Sequence, residues 1–190
     1  DWSSDVCSSD LLGQQDGVGL VPFDDEPREW LPSRSRPSHL RAVLQAIAEN
    51  GTKRETDLGG VFQRIAPKLS RRGLLVILSD GMGDVDSLAK AFALFRSARH
   101  EILFFQVLDP DEIDFPFSGR IQFRDLESSQ NEQMVDAKSI RDAYLRRYEE
   151  YQNKLRDICR KQRVDLVQMT TDRPFADALH EYLSVRRRGR

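Results

Sequence analysis

Apolar residues are grouped in two ways along this chain, and the grouping predicts its elements. In three places they run together: Leu74 to Leu78 within GLLVILSDGMGD, the stretch Glu101 to Leu108 (EILFFQVL), and Val164 to Met169. Each run is short, carries β-branched or aromatic side chains and is bounded by turn-forming or polar residues, which predicts strands buried on both faces. Elsewhere apolar residues recur every three or four positions, the period of a helix with one buried face. Leu40, Val43, Leu44 and Ile47 predict a helix over His39–Glu49 with Ser38 as its N-cap. Leu58, Val61, Phe62, Ile65 and Leu69 predict one from about Asp57 to Leu69, and Val85, Leu88, Phe92 and Phe95 one that starts near Asp84. Ile140, Tyr144, Tyr148, Tyr151, Leu155 and Ile158 mark the longest, Asp136 to about Arg163, and a stripe of this kind is first of all core packing. Pro174 opens a last helix to about Val185.

Gly17 to Phe23, GVGLVPF, reads as a strand, Asp24 to Pro27 as a turn, and Arg28 to Leu31 as the returning arm of a hairpin. Pro22 cannot donate a ladder hydrogen bond, so a bulge or an edge-facing position is expected there. Asp109 to Phe117, DPDEIDFPF, reads as an acidic and aromatic loop, and Gly119 to Val135 as a small excursion or hairpin around SSQNE. The order is hairpin, helix, helix, strand, helix, strand, long helix, strand, helix. It predicts an α/β fold: a Rossmann-like, mostly parallel sheet with helices on both faces. A length of 190 residues suits one such domain and is short for two.

Charge and cysteine usage narrow the function classes. Lys and Arg total 29 against 31 Asp and Glu, a formal net charge of -2, which argues against a dedicated nucleic-acid binder. No apolar run approaches the roughly 20 residues that span a bilayer, so no membrane segment is expected in this chain. Cys7 and Cys159 are the only cysteines and have no metal-ligand spacing, which points to a reducing, cytoplasmic setting.

The first eleven residues, DWSSDVCSSDL, have neither a helical nor a strand period and match the in-frame translation of a widely used short-read sequencing adapter. Residues 1–12 are therefore read as an adapter-like artefact or tail, 13–187 as the domain, and 188–190 as a basic tail. On this reading the native sequence continues upstream, and the chain is a fragment.

Candidate chemistry collects at one strand end. SDG stops the Leu74–Leu78 run and leaves Asp80 at a strand's C-terminal end, where open α/β sheets collect ligands and where the following helix aims its positive N-terminus. Read alone, Asp80 serves equally well to turn the strand into that helix. Thr56 falls at or just before a helix start, where its hydroxyl would cap free backbone N–H groups. His39, His100 and His180 share no ligand spacing and are expected in capping, turn and surface roles rather than in a zinc site. Asp109, Asp111, Glu112 and Asp114 lack the glycine and terminal glutamate of a calcium loop and read as solvated acids.

GVGLVPFDD, ETDLGG at Glu55–Gly60, LLVILSDGMGD, VLDPDEIDFPF and VDLVQMTTDRPFADALHEYL together resemble domain of unknown function 58, a von Willebrand factor A-like bacterial family. The likeness runs over essentially all of Gly13 to Arg187. It implies a metal-ion-dependent adhesion site at the strands' C-terminal ends, built from an Asp-x-Ser-x-Ser loop after the first strand, a threonine and an aspartate. Thr56 resembles that threonine and Asp80 that aspartate, with Gly81, Met82 and Asp84 beside them as partner-binding residues. The Asp-x-Ser-x-Ser loop is absent; Ser3, Ser4, Ser8 and Ser9 do not supply it, having no preceding strand and the wrong spacing. Magnesium takes about six oxygen ligands in near-octahedral geometry, so no useful binding of Mg2+ is expected here, only in an intact parent. The first, central strand is also expected to be missing, leaving a gap between the Gly17–Phe23 and Leu74–Leu78 strands.

The implied function is a non-enzymatic protein–protein interaction module, a partner of a MoxR-type AAA+ ATPase. The alternative is an enzyme: SDGMGD also resembles the Asp-Gly-Met-Gly motif of metal-dependent serine/threonine phosphatases. That family is a β-sandwich with several further metal-binding aspartates, a pattern unlike the strand–helix alternation here.

Overall fold

The computed structural model describes residues 16–49, 57–69, 71–124 and 132–188. An antiparallel hairpin opens it, β1 (Val18–Leu20) against β2 (Leu31–Arg34), with the register shifting between Val18 and Leu20. The returning arm thus begins where it was expected to end. Pro22 lies past the end of β1, its carbonyl accepting from Arg28 N at 2.9 Å, and the intervening turn is pinned by the buried Asp24, whose Oδ2 accepts from Arg28 Nε at 2.8 Å.

Helix α1 (Pro37–Glu49) starts one residue before Ser38, which therefore stands inside the helix and does not cap it. Helix α2 (Leu58–Ile65) is capped by Asp57, whose Oδ1 accepts from Gly60 N at 3.0 Å, and it ends in a 3-10 turn over Ala66–Lys68. The expected Asp57–Leu69 helix tightens there because Pro67 has no N–H to donate. Strand β3 (Leu74–Ser79) leads to α3 (Val85–Ser97), whose N-cap is Asp84; β4 (Glu101–Leu108) follows.

DPDEIDFPF is not wholly loop. Asp109 caps a single helical turn, α4 (Pro110–Asp114), which closes with Phe115 in the left-handed region at φ 44. Next come the hairpin strands β5 (Arg120–Arg124) and β6 (Glu132–Asp136), the long α5 (Ala137–Gln162), β7 (Asp165–Thr170) and α6 (Phe175–Arg188).

Strands β3, β4 and β7 form a parallel sheet with β4 in the middle. Alternation along β4 sends Ile102 and Phe104 into a core with Leu58, Val61, Phe92, Leu155 and Cys159, so α2, α3 and α5 cover one face. Phe105 points the other way and meets the Phe175 and Tyr182 rings of α6, with centroids 5.5 and 6.4 Å apart. The expected α/β architecture, a parallel sheet with helices on both faces, is the one found. Gly59 permits the close approach of α2 and α3, since a Cβ there would stand 2.2 Å from Ser87 Oγ.

Two histidines are placed differently from expectation. His100 is 1% exposed, edge-on to Phe95, and its Nδ1 accepts from Gly73 N at 3.2 Å, while His39 is buried on α1. The β1–β2 hairpin is a sheet of its own, docked on α2 through Phe23 and Phe62. Among the described strands β3 pairs with β4 alone, and Leu74 and Leu78 stay 46% and 40% exposed.

Candidate functional site

Asp80 follows the last residue of β3, and the loop that carries it is tied down from below. Its backbone carbonyl accepts from Gln106 Nε2 at 2.9 Å, and the Tyr151 hydroxyl donates to the next carbonyl, that of Gly81. From above, Gly81 N donates to Ser79 Oγ at 3.1 Å and Met82 N to Asp80 Oδ1 at 3.0 Å. Gly81 is buried at φ +75, with the Phe104 ring 3.0 Å from where a Cβ would lie. Glycine is required on both counts.

The Asp80 side chain itself is exposed. Ser79 Oγ and Met82 N both use its Oδ1, leaving Oδ2 without a protein partner among the described residues. Asp84 is committed differently: its two carboxylate oxygens accept from Asp86 N and Ser87 N, capping α3. Met82 lines a recess of about 480 Å³ with Tyr144, Tyr148 and Tyr151 of α5. Thr56 lies outside the described residues, as do Ser3, Ser4, Cys7, Ser8 and Ser9.

More carboxylates face this strand end. Burial raises the Glu112 carboxyl above its ordinary range, and the charges of Asp80 and Asp109 add to that. Burial likewise pushes the Tyr151 phenol up to about 12, helped by Asp80 and Asp84. The acids thus sense one another, yet among the described residues no three His, Cys, Asp or Glu side chains are grouped so that they could hold a metal ion. Of the two residues that the resemblance implies for magnesium, Asp80 alone is described, and one carboxylate supplies too few of the ion's roughly six oxygen ligands. Among the described residues no histidine bonds to Ser79 or Asp80; the Ser79 hydroxyl donates to the Asp80 carboxylate at 3.2 Å.

Sequence reasoning overlooked the amides beneath the loop. Gln168 Nε2 donates to Gln106 Oε1 and to Gln152 Oε1, each at 2.9 Å, so three glutamines from β4, β7 and α5 join in one chain that ends on the Asp80 carbonyl. The signal was present: Gln106 is a lone amide inside EILFFQVL, and such a residue is buried only where it is hydrogen-bonded.

Comparisons with known proteins agree with this fold and supply no activity. The family described as "Protein of unknown function DUF58" matches residues 8–154. Uncharacterized proteins of Mycobacterium bovis and Mycobacterium tuberculosis are 26% identical over 162 residues, covering 84% of this chain and 50% of theirs. The chain thus spans about half the length of those relatives. An uncharacterized Mycobacterium avium protein, 26% identical over 164 residues, is covered over 95% of its length and covers 84% of this chain. The crystal structure of the conserved hypothetical protein BatB from Bacteroides thetaiotaomicron superposes with a TM-score of 0.54 at 14% identity, covering 97% of this chain and 85% of that one. At that identity the likeness is one of fold.

Proposed function

We propose, for a chain that belongs to the DUF58 family, that it is a non-enzymatic protein-binding module of von Willebrand factor A type, whose partner docks on the strand ends around Asp80. The observation that carries this reading is the mounting of that residue: an exposed carboxylate with a free oxygen, on a loop locked by Gln106 and Tyr151. A rigid loop presenting one charge suits recognition, because little ordering entropy is lost on binding.

On the same reading, Asp80 and Thr56 are two members of an incomplete metal-ion-dependent adhesion site. Further support is the β3 edge, unpaired among the described residues and flanked by exposed Leu74 and Leu78, where that architecture seats its first central strand. The partner implied by the family resemblance is a MoxR-type AAA+ ATPase. The phosphatase alternative draws no support from a parallel sheet flanked by helices.

Isothermal titration of the chain against a purified MoxR-type ATPase tests this reading. Asp80→Asn is expected to weaken binding at least tenfold, about 1.4 kcal/mol, with the thermal midpoint unchanged. Equal affinity of the two proteins would overturn it, as would manganese-dependent hydrolysis of an aryl phosphate.

A further inference from the structure

Strand β3 is an edge among the described strands, and it carries none of the features that usually close one. A row of unpaired N–H and C=O groups is a template for another strand, so edges are blunted by a charge, a proline or a bulge. Leu74–Ser79 reads LLVILS, without charge or proline, and its register with β4 runs unbroken from Leu74↔Glu101 to Ser79↔Gln106. The β1–β2 hairpin is a separate sheet and does not pair with it.

The outward groups can be named. Glu101 N donates to the Gly73 carbonyl at 3.0 Å, so in a parallel ladder Gly73, Leu75 and Ile77 turn to β4, and the N–H and C=O of Leu74, Val76 and Leu78 turn away from it. Ile77 belongs to the core and Leu75 packs against it, which puts the side chains of Leu74, Val76 and Leu78 on the opposite face of the sheet. Leu74 and Leu78 are 46% and 40% exposed there. The ends of the strand carry opposite charge: Arg71 and Arg72 precede it and Asp80 follows it. Arg72 reaches Glu101 at 3.5 Å while staying 69% exposed, and Asp80 Oδ2 has no protein partner among the described residues.

A strand with these properties is complementary to itself. Laid antiparallel about a two-fold axis through Val76, Leu74 of one copy comes opposite Leu78 of the other and Val76 opposite Val76. The outward groups of all three then form the hydrogen-bonded pairs of an antiparallel ladder, with the exposed leucines in contact on one face. The same register sets Arg72 of each copy beside Asp80 of the other. A parallel arrangement would bring arginine to arginine and aspartate to aspartate.

We propose that the β3 edge is a self-association surface: two copies of this chain join their sheets antiparallel through Leu74–Ser79, with Arg72 of each paired to Asp80 of the other. Such an interface is isologous and closes at a dimer. It needs no other protein at Asp80. Because it covers that carboxylate, the dimer and a partner docked on the strand ends exclude each other.

Sedimentation equilibrium of the chain alone, over a dilution series at low salt, tests the proposal. A reversible monomer–dimer equilibrium is expected. Arg72→Glu and Asp80→Arg each weaken dimerisation by roughly tenfold, and the chain carrying both exchanges regains the original affinity, because the pair is restored with its signs reversed. The combined variant Leu74→Lys, Leu78→Lys stays monomeric with the circular dichroism of the original chain, since both positions are exposed and lysine blocks an edge. A chain that is monomeric at every concentration, leaving the edge to another protein's strand, would overturn the proposal. So would growth beyond a dimer, a dimer that tolerates both lysines, or a double exchange as weak as the single ones.

Discussion

Gln106 lies on β4 and Asp80 just past the end of the neighbouring β3, and the buried amide of the first holds the backbone of the second. Gln106 is 0% exposed in the middle of the sheet and donates from Nε2 to the Asp80 carbonyl at 2.9 Å. An apolar residue there would be the ordinary choice for a central strand, so the amide is explained by what it supports. Gln106→Leu keeps the volume and removes the bond, leaving the Asp80 carbonyl and the Gln168 amide short of a partner. Urea unfolding should show a loss of about 1–3 kcal/mol. An unchanged midpoint would mean the amide chain contributes nothing to the fold.

Gly81→Ala tests the loop from the other side. A side chain at φ +75 is strained by roughly 1–2 kcal/mol, and its Cβ would also press on Phe104. Thermal unfolding should register that loss, and partner affinity should fall with it because Asp80 is displaced. Gly119 has a similar φ of +74 but open space around it, so Gly119→Ala should cost only the backbone term and leave binding alone.

Titration offers a third check. The Tyr151 phenol is raised from 10.0 to about 12, chiefly by burial, so the folded chain holds its proton more tightly than the unfolded one. That contribution is intact below pH 10 and is lost as pH rises from 10 toward 12. Tyr151→Phe should therefore flatten the alkaline fall in stability, measured as urea midpoints between pH 9 and 12. Asp24 has the opposite sign. Its hydrogen bond from Arg28 lowers it from 3.8 to about 2, so its contribution is present above pH 4 and disappears as pH falls from 4 toward 2. The gap in stability between the wild-type chain and Asp24→Asn should narrow over that range.

Cys159 is buried in the core, and burial pushes its thiol up to about 12. The thiolate is the reactive species, so the native chain should leave Cys159 unalkylated by iodoacetamide at pH 8, with modification appearing only in denaturant. Peptide mapping that finds rapid native-state labelling at this position would contradict the packing described.

How much of this was legible in the sequence depends on the kind of signal. The strands at Leu74, Glu101 and Asp165 and the long helix announced themselves because burial imposes a period, and Asp80 because a strand end must turn. The α4 turn was hidden by Pro110 and Pro116, which read as loop, although Pro110 at a helix's first position is compatible with it. Ser38 was misread because any serine before a periodic run resembles a cap. His100 and Gln152 escaped because partners far along the chain, Gly73 and Gln168, make them buriable. Long-range pairing of that kind leaves no local pattern.

Hydrogen exchange of the chain alone and saturated with a MoxR-type ATPase addresses the central claim most directly. Protection gained at residues 79–84, and lost again in Asp80→Asn, is the result predicted. Protection confined to the β5–β6 hairpin or the α6 surface, with 79–84 exchanging as in the free chain, would contradict it.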